Sequence, residues 1–220
     1  MFLTLSCYSG EMLERAQFGP ADIVSANGFN ATAARQGWPV LCDATCEFTS
    51  SKLHEFLSLW RGIADNDRIP FRREMTARLL QPFMRSIALY ERVAGEDGSR
   101  RWRVRLMGST VVRFLGELTG KFLDEVVPEK FLPRWHAMGD VTLAIGLPAR
   151  FLVRSDTFDK PYLVAEYFFA PLRADDRAAS MVLMVGCYDG KFSWADVDVE
   201  ERQHLGLPPS RYCLEPHASL

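Results

Sequence analysis

The sequence predicts an α+β domain built on one five-stranded antiparallel sheet. Residues 85–93 and 100–107 are two short β-type runs joined by the Gly- and Asp-rich turn AGEDGS, a hairpin pattern. Three further runs, 149–157, 161–172 and 178–188, succeed one another through the short turns DTFDKP and RADDRA, as a meander does. Helical segments fill the space between the two groups. Strands and helices therefore come in blocks, which is the α+β order rather than the alternation that builds a parallel sheet.

Each element has its own local reason. Residues 1–48 mix Gly, Asn, Ala and Thr with isolated aromatics and show no clear period, so an irregular extension is expected there. In SSKLHEFLSLWRGIA, residues 50–64, Leu53, Phe56, Leu57 and Trp60 recur at helical spacing and form one apolar stripe. Thr49 or Ser50 stands where a cap is needed, and Gly62 lies near the end. Pro70 stops a helix from running on, and a short helix is expected in RREMTARLLQPF, ending before Pro82. In the second strand, strict alternation puts Arg101, Arg103 and Arg105 on one face and Trp102, Val104 and Leu106 on the other.

The stretch LMGSTVVRFLGELTGKFLDEVVP, residues 106–128, is the most patterned in the chain. Residues 109–115 fit a short helix with Ser109 as its cap, Gly116 and Gly120 fit turns, and 121–127 fit one more helical turn. It is not a phosphate loop. The Gly116–Gly120 spacing is one residue short, and Phe122 stands where the magnesium-binding hydroxyl is needed. No glycine pair has the dinucleotide spacing either. A longer helix follows, beginning in earnest at Pro133, which a first turn tolerates, and ending at Gly146. Leu132, Trp135, Met138 and Thr142 share one of its faces.

Composition narrows the function classes. The chain has 220 residues, 48% hydrophobic and 25% charged, with a net charge of −2. That is globular composition without a pull toward nucleic acid or membrane. No apolar run reaches membrane-spanning length, and the first residues lack the basic start and long apolar run of a signal peptide, so the cytoplasm is expected. Five cysteines, an odd number, argue against a disulfide framework. Cys42, Cys46 and His54 form at best one loose ligand pair, so no metal is expected.

The layout resembles the PAS sensor fold. More narrowly, RWRVRLMGSTVVRFLGELTGKFLDEVVP is similar to a bacterial subfamily of single-domain PAS proteins, in which a strand ending in L-x-G leads to a short helix, then G-x-x-x-T-G and L-x-E. LWRGIADNDRIPFRREMTARLLQPFM is similar to the helical lead-in of that group. The resemblance covers residues 50–190. It divides the chain into an extension (1–48), a PAS domain with lead-in (49–190) and a C-terminal tail (191–220). It implies the strand order 2-1-5-4-3, with helices on one face and an N-terminal amphipathic helix. YLVAEYFFAPL and SMVLMVGCY are apolar on nearly both faces, as interior strands are, whereas RRWRVRL and ARFLVRSD carry the charges of edge strands. The second sheet face then needs a cover. Helix 50–64 is the first candidate and a second copy of the chain, giving a homodimer, is the other.

By the same resemblance the chain is a regulatory module that acts by binding a small apolar ligand or a separate signalling protein. The candidate lining is Phe114, Leu118, Phe122, Trp135, Met138, Phe151 and Val153. The same spacing also builds an ordinary filled core. His136 lies on the helix that carries the axial histidine in haem-binding relatives. The reactive cysteine of flavin photosensors is replaced here by the valine before Arg113, and no cofactor is expected. The arginines at 100, 101, 103 and 105 suit a soluble edge or, with Arg68, Arg72 and Arg73, an acidic protein partner. Trp102 points away from them, so no aromatic interleaving for nucleic acid is expected. Two other readings stay open. One is a small isomerase- or hydratase-like enzyme with Glu166 as base, partnered by Arg150 or Arg154. The other is a purely structural dimerisation domain.

Overall fold

The computed structural model describes residues 23–65, 68–95, 99–154, 164–175 and 178–189. Residues 1–22, 155–163 and 190–220 lie outside the described residues, Cys7 and Cys213 among them. Helix α1 (Ala26–Gln36) is followed by strand β1 (Val40–Asp43) and helix α2 (Ser51–Ala64). A 3-10 turn (Arg72–Glu74), the short helix α3 (Ala77–Leu80) and a second 3-10 segment (Gln81–Ser86) lead into β2 (Ile87–Ala94) and β3 (Arg100–Met107). Helices α4 (Ser109–Leu115), α5 (Leu123–Val126) and α6 (Leu132–Ile145) precede β4 (Ala149–Arg154), β5 (Val164–Leu172) and β6 (Met181–Asp189).

The sheet is antiparallel and six-stranded, in the order β1-β4-β5-β6-β2-β3. The five strands expected from sequence, β2 to β6, keep the expected mutual order. The expected count of five is corrected by β1, which lies in the segment read as irregular and pairs Val40–Asp43 with Arg150–Val153. Four residues are too few for alternation to stand out in sequence. The addition also corrects the reading of β4 as an edge. Its Arg150 is not a solubilising charge but a buried one, with a side chain 11% exposed.

Both true edges are occupied. The side chain of Asn30 in α1 accepts from Cys42 N at 2.7 Å and donates to Cys42 O at 2.8 Å, so an amide stands in for a neighbouring strand. At the other end, Val104 N donates to Lys121 O and Gly120 N donates to Val104 O, laying residues 120–122 along β3. Asn30→Ala removes both bonds to β1. We expect a loss of about 1–3 kcal/mol in denaturant unfolding, and an unchanged midpoint would show that β1 is held by β4 alone.

Side chains alternate between two cores. Tyr90, Trp102, Val104, Phe151, Tyr167, Phe169, Val182 and Met184 pack under α1 and α6 with Phe29, Trp135, Met138 and Val141. The opposite face carries Ile87, Leu89, Phe168, Ala170, Leu172, Leu183 and Val185 against Leu53, Phe56, Leu57 and Trp60 of α2. Phe56 meets Phe168 at 5.0 Å and Phe83 at 4.8 Å, both edge to face. Helices thus lie on both faces, and α2 with the segment around Phe83 supplies the cover that the second face required. A second copy is not needed for it.

Local departures from the expected pattern have local causes. A bulge between Leu89 and Tyr90 pairs Leu89 with Leu106 but Tyr90 with Val104. Arg105 is therefore the extra residue, and Leu106 joins the α2 side instead of lying with Trp102 and Val104. The short helix α3 does end before Pro82, at Leu80. Pro82 occupies the first turn of the following 3-10 segment, where its missing N–H costs nothing. Ser50 caps α2 by position but makes no side-chain capping bond. Gly116 and Gly120 sit at φ of 81° and 85°, so the glycine pattern that resembles a phosphate loop serves backbone turns.

Candidate functional site

The first core contains a connected aromatic cluster between the sheet and α4 and α6. Alternation in β5 aims Tyr167 and Phe169 at it, and alternation in β6 aims Tyr188. Tyr90 comes from β2 and Trp135 from α6. Trp135 lies 6.2 Å from Tyr90, 6.0 Å from Tyr167 and 6.4 Å from Phe169, measured between ring centroids. Tyr167 meets Tyr188 at 5.6 Å, edge to face. Gly186 pairs with Tyr167 across the sheet, and the Tyr188 ring folds back over it. A Cβ at Gly186 would lie 2.9 Å from that ring, so only glycine admits this placement.

The candidate residues are distributed unequally in this frame. Trp135, Met138 and Phe151 are buried at its centre, and Phe151 packs edge to face on Phe29 and Phe169. Phe114 is half-buried and stacks flat on Tyr188 at 4.2 Å with 10° between the planes. Leu118 and Val153 are half-buried at the rim. Phe122 is elsewhere. Its backbone bridges Arg103, and its ring lies beneath the Arg101 guanidinium at 3.8 Å and near that of Arg103 at 5.8 Å. The edge arginines thus do have an aromatic partner, contrary to the sequence reading, and Arg101 is also paired with Asp124 and Glu125.

Sequence reasoning missed Phe29, Tyr90, Tyr167, Phe169 and Tyr188. The signal for the last three was present as an i, i+2 spacing of rings in YLVAEYFFAPL and a glycine two residues before Tyr188. Phe29 had no signal, because it lies in a helix within the unpatterned extension.

The polar atoms of the cluster are its chemistry. Among the described residues the Tyr90 hydroxyl reaches only Met184 Sδ, at 4.0 Å. The Tyr188 hydroxyl is buried and makes no well-formed hydrogen bond among the described residues; the Tyr167 phenol faces it, and a loose contact between the two hydroxyls shifts the ionisation of both. Burial pushes all three phenols well above their ordinary range, so at neutral pH they stay protonated and are available as hydrogen-bond donors. Arg134 approaches the cluster from α6. Burial pulls its guanidinium down to about 10 while Tyr167 opposes the shift, and its Cζ sits 4.4 Å over the Phe131 ring. His136 Nε2 is buried without a partner among the described residues; burial lowers the imidazole pKa against the pull of Asp140 and Asp124, favouring the neutral ring.

On the opposite face of the same two strands lies a charged cluster. Glu166, between Ala165 and Tyr167, is 5% exposed. Its carboxylate accepts from Thr49 N and Thr49 Oγ1 at 2.9 Å each, from Ser50 N at 3.0 Å and from Arg150 Nε at 2.6 Å. Arg150 also faces Asp43 of β1 at 3.5 Å. Burial pushes the Glu166 carboxyl up, but the bonds from Thr49, Arg150 and Ser50 outweigh it and hold the group below the ordinary carboxylate range. This corrects the reading of Glu166 as a base in an apolar pocket, since the carboxylate is stabilised and fully engaged. Its partner is Arg150; the Arg154 side chain lies outside the described atoms. Cys187, opposite Glu166 in β6, has its Sγ 3.2 Å from Ser50 Oγ. Cys42 and Cys46 are buried, and burial pushes their thiols up to about 12 and about 11, which leaves them protonated. Among the described residues no cluster of His, Cys, Asp or Glu is arranged to hold a metal.

No known family profile matches the chain, and no curated protein matches it. One solved structure, described as that of an RNA-binding light-oxygen-voltage receptor, is similar at 15% identity and a TM-score of 0.31. The match covers 62% of this chain and spans only 37% of that protein. A likeness at this level carries no argument about activity.

Proposed function

We propose that the chain is a regulatory module of the PAS kind that binds a small, planar, mostly apolar molecule bearing a hydrogen-bond acceptor, at the Phe114–Tyr188 end of the aromatic cluster. The observation that carries this is the Tyr188 hydroxyl. A buried hydroxyl without a well-formed hydrogen bond costs up to about 1–3 kcal/mol, and this one has only the loose Tyr167 contact among the described residues and lies among stacked rings, where an acceptor on a flat ligand would satisfy it better. Phenols held in the donor state suit binding a hydrogen-bond acceptor.

Output passes through α2 to a separate protein. Tyr167 and Tyr188 face the cluster, and their chain neighbours Glu166 and Cys187 hold Thr49 and Ser50 at the head of α2. A ligand that shifts the two tyrosines therefore acts on both anchors of the helix. No helix among the described residues is long and apolar enough to cross a membrane, and a cytoplasmic module fits that. Homodimerisation is not required to complete the site.

Native mass spectrometry with an absorbance scan of the freshly purified protein tests the reading. Extra mass that leaves on denaturation is expected, and Tyr188→Phe should lose it while remaining folded. The contrary result is a bare-chain mass together with a Tyr188→Phe protein that is more stable by about 1–3 kcal/mol. The hydroxyl would then be only a packing cost in a filled core.

A further inference from the structure

The exposed strip formed by α3 and the second 3-10 segment is distinct from the aromatic cluster and has an apolar surface with one sign of charge. Leu79 and Met84 are 39% and 36% exposed, two of the few large apolar side chains left open among the described residues. Arg78 and Arg85 flank them, both exposed, and residues 77–86 contain no acidic side chain. Phe83 and Leu80 point inward, so the strip is fixed to the core beneath it.

The chain leaves the sheet beside this strip. Ile87, the residue after the 3-10 segment, pairs with Val185 of β6. Strand β6 then continues from Gly186 to Asp189 past Ser86 and the rest of that segment, with which it is in contact. Three residues beyond Asp189 begins FSWADVDVEE, residues 192–201. It carries Asp196, Asp198, Glu200 and Glu201 and no basic residue, interleaved with Phe192, Trp194, Val197 and Val199. Ten extended residues reach about 33–36 Å, more than the length of the strip.

We propose that residues 192–201 dock on the strip of the same chain, with Trp194 and the valines on Leu79 and Met84 and the acids on Arg78 and Arg85. The two partners match in both terms: apolar against apolar and four acids against a strip whose only charges are arginines. The tail then lies beside Lys52 and Ser86, whose side chains are hydrogen-bonded at 2.8 Å at the head of α2. That places an intrachain contact on the helix through which the module signals.

Hydrogen exchange on the full-length chain tests this. With Asp196→Lys and Asp198→Lys together, amides of residues 77–86 should exchange several-fold faster than in the parent. Adding Arg78→Glu and Arg85→Glu should restore slow exchange, because the charges are then paired in reverse. Equal exchange in parent and double variant overturns the proposal. So does protection in the parent that falls on dilution alongside a drop in mass by light scattering, since the strip would then be covered by a second copy. Because the readout is exchange at the strip, a failure here is separable from absence of a ligand in the aromatic cluster.

Discussion

Glu166→Gln is expected to free the head of α2 and destabilise the protein by about 3–5 kcal/mol at neutral pH. The substitution is nearly isosteric, so packing is not the cause. It removes one partner of a buried ion pair whose side chains are 11% and 6% exposed, and leaves Arg150 facing only Asp43 at 3.5 Å. It also sets an amide among three donors from Thr49 and Ser50 that were bonding a carboxylate. Ser50 makes no side-chain capping bond, so Glu166 serves from a distant strand as the anion at this helix terminus. The pH dependence has a definite sign. The folded carboxyl pKa lies below its unfolded value of about 4.3, so the stabilisation is present above that value and is lost as pH falls through the folded pKa. Urea unfolding at pH 7 and at pH 3.5 measures both. The parent should lose part of its stability between them, and the variant should lose less. A variant as stable as the parent at pH 7 would mean that the ion pair contributes nothing beyond what a neutral amide supplies.

Gly108→Ala is expected to be the most damaging glycine substitution in the described residues. The backbone at Gly108, φ −79° and ψ 154°, is open to any residue, so conformation is not the problem. A Cβ there would lie 2.0 Å from Met84 O and 2.6 Å from the Arg85 carbonyl, both main-chain groups. Gly108 N donates to Ile87 O at 2.7 Å and Gly108 O accepts from Val112 N, so the position cannot retreat without unseating α4. We expect a loss at or above the roughly 3 kcal/mol upper end of ordinary overpacking. Gly62→Ala is the control. Gly62 is exposed within α2 with nothing within 4 Å of the added carbon, and the change should stabilise by about 0.5–1 kcal/mol. Thermal melts of the two variants should move in opposite directions, and a Gly108→Ala protein that melts with the parent would refute the steric account.

What could be read from the sequence follows the range of the interactions involved. The hairpin, the meander, α4 and α2 are set by periodicity within a dozen residues, and their boundaries fall within a few residues of the structure. Strand β1 was illegible because it is four residues long and is specified by partners more than a hundred residues away. Arg150 was legible as a partner of Glu166 on the adjacent strand, but it misled as an edge charge because its second acid, Asp43, comes from β1. At the site, Trp135, Met138 and Phe151 were legible as apolar positions on regular elements. Phe122 was not, because a bridge to β3 turns its ring outward. The three tyrosines were passed over because alternation was read there as burial alone, without asking where their hydroxyls would go.

The occupied ends of the sheet bear on how such a module can be used. An amide from α1 fills one end and residues 120–122 lie along the other. A partner's strand therefore finds no free backbone donor and acceptor at Cys42 or Val104, and growth from those two points is blocked. Communication with other molecules is left to side chains and helices, whose contacts can be made and released without rebuilding a backbone ladder. If the proposed regulatory role holds, change of state is confined to parts that can reverse it.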